Sequence, residues 1–134
     1  MQGVIAQLEA ATHRVVDHLS AELRELGLTP GEVNALAHLR AQAPRSVAEL
    51  QTLTGQRPST LTGVIDRLER RALVRRAVNA RDRRSFVLEL TAEGIRAAQT
   101  VERAFVAVEA RAGLDERDVA AFHRVLQALE GAAA

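Results

Sequence analysis

Three helix-start signals follow one another between residues 29 and 58, and they restrict this stretch to short helices. The sequence TPGE, Thr29 to Glu32, offers a capping threonine, a proline at the first helical position and a glutamate that completes a capping box. The sequence SVAE, Ser46 to Glu49, is a second capping box, and Pro58 favours a third start. Pro44 and Gly55 predict the ends of the first two helices.

The helix that begins at Pro58 has one apolar stripe and one polar face. The stripe repeats at helical spacing and consists of Leu61, Val64, Ile65 and Leu68. Two short helices joined by a turn that contains Gly form a helix-turn-helix. At about 1.5 Å per residue the second helix is roughly 20 Å long, and the DNA major groove, about 12 Å wide, admits one helix.

An arginine-rich loop separates two apolar stretches directly after this helix. Leu73–Val78 and Ser85–Leu90 predict two strands, and the short loop between them makes a hairpin. A hairpin in this position is a wing. Three arginines of the loop surround Asp82, and their mutual repulsion indicates a partner outside the chain that compensates them.

Longer helices are expected on both sides of this core. The apolar spacing over residues 5–26 predicts one helix that Gly27 stops, and a stripe so narrow is typical of packing against a partner. Thr91 is expected to cap a long helix, and Asp115 is expected to cap the last one. Residues 131–134 predict a frayed tail.

Basic residues concentrate in one segment. All eighteen are arginines, and residues 57–84 hold nine of them with three acids, so nine minus three leaves +6. The rest of the chain holds nine arginines and fourteen acids, which leaves −5. A basic segment inside an acidic frame is typical of a face that binds a polyanion, although an ordinary solvated surface can also be basic.

Composition excludes several classes of protein. Because Cys is absent, disulfides, cysteine-ligated metals and thiol redox sensing are excluded. Tyr and Trp are absent too, which disfavours base stacking on aromatic side chains. No apolar run approaches the roughly 18 residues of a membrane span and no basic-then-apolar leader opens the chain, so we expect a cytoplasmic protein without membrane contact. Catalysis has no support and no cofactor is expected, because the sequence contains no nucleophile elbow, phosphate loop or zinc-protease pair.

The order of these elements resembles the MarR family of bacterial winged-helix regulators. STLTGVIDRLERRALVRR, from Ser59 to Arg76, is similar to the family's recognition helix and first wing strand. DRR, from Asp82 to Arg84, and FVLELTAEG, from Phe86 to Gly94, are similar to the wing signature and the start of the next helix. A helix-turn-helix alone is weakly specific, whereas this helix with a D-x-R wing and an LT-x-x-G sequence at this spacing is strongly specific.

The resemblance implies a mostly α fold with a small β-hairpin wing. A winged helix-turn-helix DNA-binding core, residues 29–91, would be flanked by N- and C-terminal dimerisation helices, residues 1–27 and 92–134, in one domain. The implied function is sequence-specific regulation of transcription, without enzymatic activity, by a homodimer on a double-stranded DNA operator. Its two recognition helices would face successive major grooves.

The resemblance also assigns roles in DNA binding. Arg84 would enter the minor groove, and Asp82 would orient it, since a carboxylate can hold a guanidinium by paired hydrogen bonds. Arg81 and Arg83 would contact phosphates, and side chains of the recognition helix would reach phosphates or base edges. The expected DNA-binding residues are Arg57, Ser59, Thr60, Thr62, Gly63, Arg67, Arg81, Asp82, Arg83 and Arg84.

Purely structural interpretations stand beside these roles. Ser59 and Thr60 suit the first turn of any helix. A bridge from Asp82 to one arginine would leave a self-neutralised loop, but such a bridge is worth only about 0–1 kcal/mol and does not explain the other arginines. Asp66 and Glu69 are expected to pair with nearby arginines.

Two positions depart from the family pattern. Gly63 stands where many members carry a basic residue, which removes a base reader and weakens the helix by about 1 kcal/mol. Ala72 stands where a helix-ending Gly is common, so the turn into the wing is expected to be tighter or less sharply capped.

Three hypotheses about regulation remain open. Many family members are repressors that release DNA when a small anionic aromatic effector enters a pocket between the dimerisation and DNA-binding regions. The residues expected near such a pocket are His13, Arg14, His38 and Arg40, all of which are also ordinary surface residue types. A metal-responsive regulator is the second hypothesis, but none of the four His are spaced i, i+4 on one helix. The third is a winged-helix protein-interaction module, which needs an apolar or acidic recognition surface.

Overall fold

A computed structural model describes residues 3–43 and 45–134 of the chain. Contacts divide the chain into two compact units, residues 1–104 and residues 105–134. The segment predicted to form the winged helix-turn-helix, residues 29–91, lies within the first unit. Pro44, which was expected to end the second helix, lies outside the described residues.

Within the described residues the chain forms six α-helices and three short strands. The helices are α1 (Val4–Glu22), α2 (Pro30–Ala41), α3 (Val47–Thr54), α4 (Pro58–Arg70), α5 (Ala92–Ala112) and α6 (Glu116–Ala133). The strands are β1 (Arg45–Ser46), β2 (Val74–Val78) and β3 (Phe86–Leu90). This mostly helical fold with a small sheet confirms the predicted fold class. None of the helices in the described part of the chain is long and apolar enough to cross a membrane.

The predicted helix starts form because local hydrogen bonds fix them. Thr29 Oγ1 accepts from the N–H of Glu32 at 3.3 Å, and the Glu32 carboxylate accepts from the N–H of Thr29 at 2.9 Å. Ser46 and Glu49 exchange the same two bonds, each at 3.1 Å. Gly55 ends α3 with a φ of 67°, in the left-handed region that favours glycine.

The core of the first unit lies where α2, α3, α4 and the sheet meet. Leu36 of α2, Leu50 of α3 and Leu61 of α4 are fully buried. Leu88 of β3 is 1% exposed and joins them from the sheet. The whole apolar stripe predicted for α4 is buried as well, so the orientation of this helix about its axis follows the sequence pattern.

The first segment differs from the single helix predicted. Helix α1 ends at Glu22, and a 3₁₀ turn over Arg24–Leu26 carries the chain to Gly27, whose φ is 62°. Leu23, at the junction, is only 4% exposed, whereas none of the described residues of α1 is buried. The helix therefore changes to the tighter 3₁₀ form directly after Leu23, the residue that is buried in the core.

The wing belongs to a three-stranded antiparallel sheet. Strand β3 lies in the centre and pairs with β2 on one side and β1 on the other. In the wing, Val74 of β2 lies opposite Leu90 of β3. On the other side of β3, Arg45 of β1 lies opposite Leu88. The sequence does not predict β1, because a two-residue strand carries no periodicity. Strand β1 joins the start of α3 to the wing.

The two C-terminal helices begin where the sequence predicts. Thr91 Oγ1 accepts from the N–H of Gly94 at 3.0 Å, and Asp115 forms a capping box with Asp118. The prediction of a frayed tail is wrong for residues 131–133, because α6 continues to Ala133. Alanine has the highest helix propensity, which favours this continuation.

Candidate nucleic-acid interface

Helix α4 presents a polar face because its apolar residues face the core. The stripe residues are at most 3% exposed. Ser59, Thr60 and Thr62 are exposed on the other side, and Gly63 is half-buried beside them. Short hydroxyl side chains in this position suit contacts to phosphates or base edges.

The first turn of α4 has no cap among the described residues. Arg57 is the N-cap residue, and its side chain makes no capping hydrogen bond. Thr62 Oγ1 donates to the carbonyl of Pro58 at 2.9 Å, so this hydroxyl keeps its lone pairs for other donors. Free N–H groups at a helix N-terminus attract anions.

A buried carboxylate on α2 holds Arg67. The Arg67 Nε donates to Glu32 Oε1 at 2.6 Å. The Glu32 side chain is 4% exposed and the Arg67 side chain is 44% exposed. The sequence predicts that Arg67 binds DNA, whereas in the structure its Nε is bonded to Glu32 within the protein. A partner 35 residues away lies beyond any local sequence pattern.

Gly63 lies beneath the guanidinium of Arg67. A Cβ on Gly63 would lie 3.3 Å from Nη1 of Arg67. Gly63 is helical and does not belong to the described glycines with positive φ. The absent side chain therefore provides space, and the backbone conformation does not require glycine here.

One carboxylate oxygen organises the wing tip. Asp82 Oδ1 accepts from the backbone N–H of Arg84 at 3.1 Å and lies 3.4 Å from Arg84 Nε. The paired hydrogen bonds expected between these two side chains are replaced by this one-oxygen contact. The Arg84 side chain is 93% exposed, so it projects from the wing while its backbone is held.

Asn79 and Ser85 close the wing loop, and the sequence pattern predicts a role for neither. Asn79 Oδ1 accepts from the N–H of Arg81 at 3.0 Å, and Asn79 Nδ2 donates to Ser85 Oγ at 3.1 Å. The N–H of Ser85 donates to the carbonyl of Asp82 at 3.0 Å. An Asn side chain that accepts a hydrogen bond from the N–H two residues further along the chain is a recognisable turn signal.

Within residues 57–84, three arginine side chains make neither an ion pair nor a hydrogen bond among the described residues: Arg57, Arg81 and Arg83. All three are exposed. Arg84 has the single long contact to Asp82. Four arginines, one at the start of α4 and three at the wing tip, therefore remain to face an external anion.

The other arginines of residues 57–84 make internal contacts. Arg75 pairs with Glu89 across the strands at 2.9 Å. Arg71 donates to the carbonyl of Gly27 at 3.0 Å, and Arg70 donates to a carbonyl within α4. Glu89 and Glu32, which pair with Arg75 and Arg67, are carboxylates from outside residues 57–84, so the balance of +6 counted from the sequence overstates the charge that is available to a polyanion.

Arg76 joins the wing to α4. Its Nη2 lies 3.0 Å from Asp66 Oδ1, and its Nε lies 3.2 Å from Glu69 Oε1. Its guanidinium carbon also lies 4.5 Å from the centre of the Phe86 ring, within cation–π range. Asp66 and Glu69 thus pair with an arginine as the sequence predicts.

The four residues expected near an effector pocket have different surroundings. His13 and Arg14 are exposed on α1. His38 is half-buried on α2, and its burial, together with the nearby positive charge of Arg45, lowers the pKa of its imidazole. Arg40 pairs with Glu102 at 3.2 Å.

A cavity of about 440 Å³ lies beside Arg40, between the end of α2, the base of the wing and the start of α5. Leu39, Leu90 and Ile95 supply apolar walls, and Arg40 and Arg75 supply charge. Each of these arginines is already paired with a carboxylate. An anion that entered the cavity would compete with those carboxylates.

The residues that could bind a metal ion are not clustered in the described part of the chain. In residues 3–43 and 45–134, no three His, Asp or Glu side chains lie together so as to hold a metal. The metal-responsive hypothesis gains no support from this part of the protein.

Comparisons with known proteins cover both the local site and the whole fold. Residues 26–85 match the sequence profile described as MarR family. The HTH-type transcriptional repressor MdtR of Bacillus subtilis is 31% identical over 94 residues, which cover 70% of this chain and 61% of MdtR. This chain thus spans about three fifths of the length of that relative, at 61%.

Two solved structures share the fold over almost the whole chain. MepR of S. aureus in its DNA-binding conformation superposes with a TM-score of 0.86 at 19% identity, over 99% of this chain and 100% of MepR. BpsR of Bordetella bronchiseptica, solved to explain how 6-hydroxynicotinic acid regulates its DNA binding, gives 0.77 at 24% identity, over 96% of this chain and 94% of BpsR.

The profile match falls on the helix-turn-helix and the wing, where the capping boxes, the D-x-R wing and the exposed face of α4 lie. The shared fold extends this agreement to the flanking helices. The chain belongs to the MarR family and carries its winged helix-turn-helix.

Proposed function

We propose that this protein is a sequence-specific double-stranded DNA-binding transcriptional regulator that acts as a repressor, with α4 in the major groove and Arg84 in the minor groove. The proposal rests on the wing tip, where Asp82 fixes the backbone of Arg84 and the Arg84 side chain is 93% exposed. MdtR is a transcriptional repressor, and MepR has been solved in complex with DNA. MarR-family regulators are transcription factors and not enzymes.

The two grooves would be read by different chemistry. Helix α4 has thirteen residues, which at about 1.5 Å each give a rod of roughly 20 Å that the major groove admits. A narrow minor groove has an enhanced negative potential that attracts an arginine. Arg57, Arg81 and Arg83, exposed and internally unpaired among the described residues, would contact phosphates.

We also propose a homodimer, because both terminal helices expose apolar residues. In the first unit, Val4 and Ile5 of α1 are 55% and 61% exposed, and none of the described residues of α1 is buried. In the second unit, Phe122 of α6 is 53% exposed and Val119 is 43% exposed. An exposed apolar face on a helix is typical of an interaction site, and two-fold symmetry would present two recognition helices to one operator.

Sedimentation velocity tests the dimer without DNA. The proposal expects a single species of twice the chain mass at micromolar concentration. Phe122→Asp on the exposed face of α6 should shift that species toward the monomer. A monomeric wild type would contradict the proposal.

A binding selection tests the function. Duplexes would be enriched from a random-sequence library with the wild-type protein, and fluorescence anisotropy would then compare a selected duplex with a scrambled duplex of equal composition. The proposal expects two protomers per selected duplex, tighter binding than to the scrambled duplex, and affinity that falls linearly with log salt. No binding to any duplex at low salt would overturn it and favour the protein-interaction module.

The response to an effector is the finer part of the proposal. BpsR has its DNA binding regulated by 6-hydroxynicotinic acid, and this chain has a cavity beside Arg40 and Arg75 with apolar walls. A thermal-shift screen with 6-hydroxynicotinic acid and phenolic carboxylates should find a compound that raises the unfolding temperature and weakens DNA binding. Arg40→Ala should reduce that shift. A screen in which no compound acts would contradict this part alone.

A further inference from the structure

We propose that the ion pair between Glu32 and Arg67, together with Gly63, positions the recognition helix α4 and so sets how strongly the protein discriminates between DNA sequences. The inference rests on the proposed DNA-binding function. Arg67 acts here as a positioning residue that works through α4, and Gly63 provides the space that its guanidinium occupies.

Glu32 links two helices through its two carboxylate oxygens. It is the one buried polar or charged residue among those described, at 3% exposure. Its Oε2 accepts from the N–H of Thr29 at 2.9 Å, at the start of α2. Its Oε1 accepts from Arg67 Nε at 2.6 Å, near the end of α4. The same carboxylate therefore caps α2 and holds α4.

This contact constrains α4 in a way that apolar packing does not. The stripe of α4 is buried, but apolar burial is non-directional and tolerates small rotations and shifts of the helix. A charge-assisted hydrogen bond to a buried carboxylate has strict geometry, and the buried charge disfavours any position of α4 that breaks it. The capping box fixes Glu32 on α2, so the pair transmits that fixed position to α4.

Gly63 of α4 provides the space for the Arg67 guanidinium in this contact. It lies one turn before Arg67, and an added Cβ would come within 3.3 Å of Arg67 Nη1. Glycine inside a helix lowers helix propensity, so its presence at an ordinary helical φ calls for a packing reason. The guanidinium that lies over Gly63 supplies that reason, because a Cβ there would be in tight contact with Nη1 and the guanidinium would have to shift by a few tenths of an ångström.

The test separates positioning from direct contact. Fluorescence anisotropy across a salt series would compare the selected and scrambled duplexes for Glu32→Gln, Arg67→Gln, the double variant and the control Arg81→Gln. Both single variants should lose at least tenfold more affinity for the selected duplex than for the scrambled duplex, with an unchanged salt slope. The double variant should lose no more than Arg67→Gln alone, because the two residues form one contact.

The control should behave differently. Arg81→Gln should weaken both duplexes together and reduce the salt slope by about 0.9 for each phosphate that the variant no longer neutralises. If Arg67→Gln behaves like this control, Arg67 binds a phosphate directly and the inference is overturned. If Glu32→Gln keeps wild-type affinity for the selected duplex, the pair does not position α4.

Gly63→Ala tests the third residue. It should lower affinity for the selected duplex in the wild-type background and have no further effect in the Arg67→Gln background, since the guanidinium is then gone. An equal loss in both backgrounds would show that Gly63 acts independently of Arg67.

A second double variant tests the inference in case the charged-to-Gln variants fail to fold. Glu32→Leu with Arg67→Met replaces both charges by apolar side chains of similar volume, a change that commonly preserves folding. This variant, if it folds and keeps wild-type discrimination, would overturn the inference. A wild type that binds neither duplex would defeat the proposed function and this inference with it, whereas a discriminating wild type matched by all variants would defeat the inference alone.

Discussion

The backbone of Gly94, in the first turn of α5, lies directly against the carbonyl group of Leu73 at the start of the wing. A Cβ on Gly94 would overlap the Leu73 carbonyl oxygen and lie 2.9 Å from its carbonyl carbon. That carbonyl also accepts from the N–H of Thr91 at 3.1 Å, and Thr91 Oγ1 donates to the carbonyl of Ala72 at 2.6 Å. The LT-x-x-G sequence thus has a physical role, since it closes the base of the wing onto α5.

We expect Gly94→Ala to lower the free energy of unfolding by about 1–3 kcal/mol, because the backbone contact leaves no room for a methyl group. Urea denaturation followed by circular dichroism measures this loss. Gly131→Ala is the matched control, since a Cβ there meets nothing within 4 Å and alanine favours the helix. An unchanged urea midpoint for Gly94→Ala would contradict the packing argument.

Ala72 takes up a left-handed backbone conformation without being glycine. Its φ is 58°, which costs an L-residue about 1–2 kcal/mol. Ala72→Gly should therefore raise the free energy of unfolding by about 1 kcal/mol at an unchanged urea slope. Ala77→Gly, inside strand β2, should have the opposite effect. A lower free energy of unfolding for Ala72→Gly would show that backbone strain at this turn does not limit stability.

Arg76→Ala should loosen the wing. The residue contacts Asp66 and Glu69 on α4 and the ring of Phe86, all partly exposed, so we expect a loss of about 1 kcal/mol in stability. Amide hydrogen exchange of residues 78–86 should become faster. Arg75→Ala removes the neighbouring arginine on the same strand, which pairs with Glu89 across the sheet. This variant should leave α4 and the wing coupled. Equal exchange in the two variants would argue against the role of Arg76.

His38 should make stability depend on pH. Burial, and then the charge of Arg45, lower the pKa of its imidazole in the folded protein. As the pH falls below the ordinary histidine pKa, the unfolded chain takes up a proton before the folded one does, so stability decreases until the folded pKa is passed. Thermal unfolding of His38→Gln should show a weaker decrease over this range. His13→Gln on α1 is the control for losing an imidazole, and an unaltered pH profile in His38→Gln would refute the assignment.

The parts of the fold that the sequence predicts depend on local interactions. The capping boxes at Thr29, Ser46 and Asp115 join residues three positions apart, and the stripe of α4 repeats within two turns. The wing strands are predicted to within one residue, because turn residues bound both apolar runs.

The parts that the sequence misses depend on distant partners. Strand β1 exists only because β3 lies beside it, and the pair of Glu32 with Arg67 spans 35 residues. The same limit explains the overstated charge of the basic segment, since Glu32 and Glu89, which pair with Arg67 and Arg75, lie outside residues 57–84 and become visible as partners only in three dimensions. The roles of Arg57, Arg81, Arg83 and Arg84 in DNA binding stay predictions.

Entry of Arg84 into the minor groove can be tested by anisotropy titrations of the selected duplex with wild type, Arg84→Ala and Arg75→Ala across a salt series. We expect Arg84→Ala to weaken binding by about tenfold, or 1.4 kcal/mol, with a shallower salt slope. Arg75→Ala, whose guanidinium is paired with Glu89, should bind like wild type. Equal affinities and slopes for wild type and Arg84→Ala would show that Arg84 does not enter the minor groove.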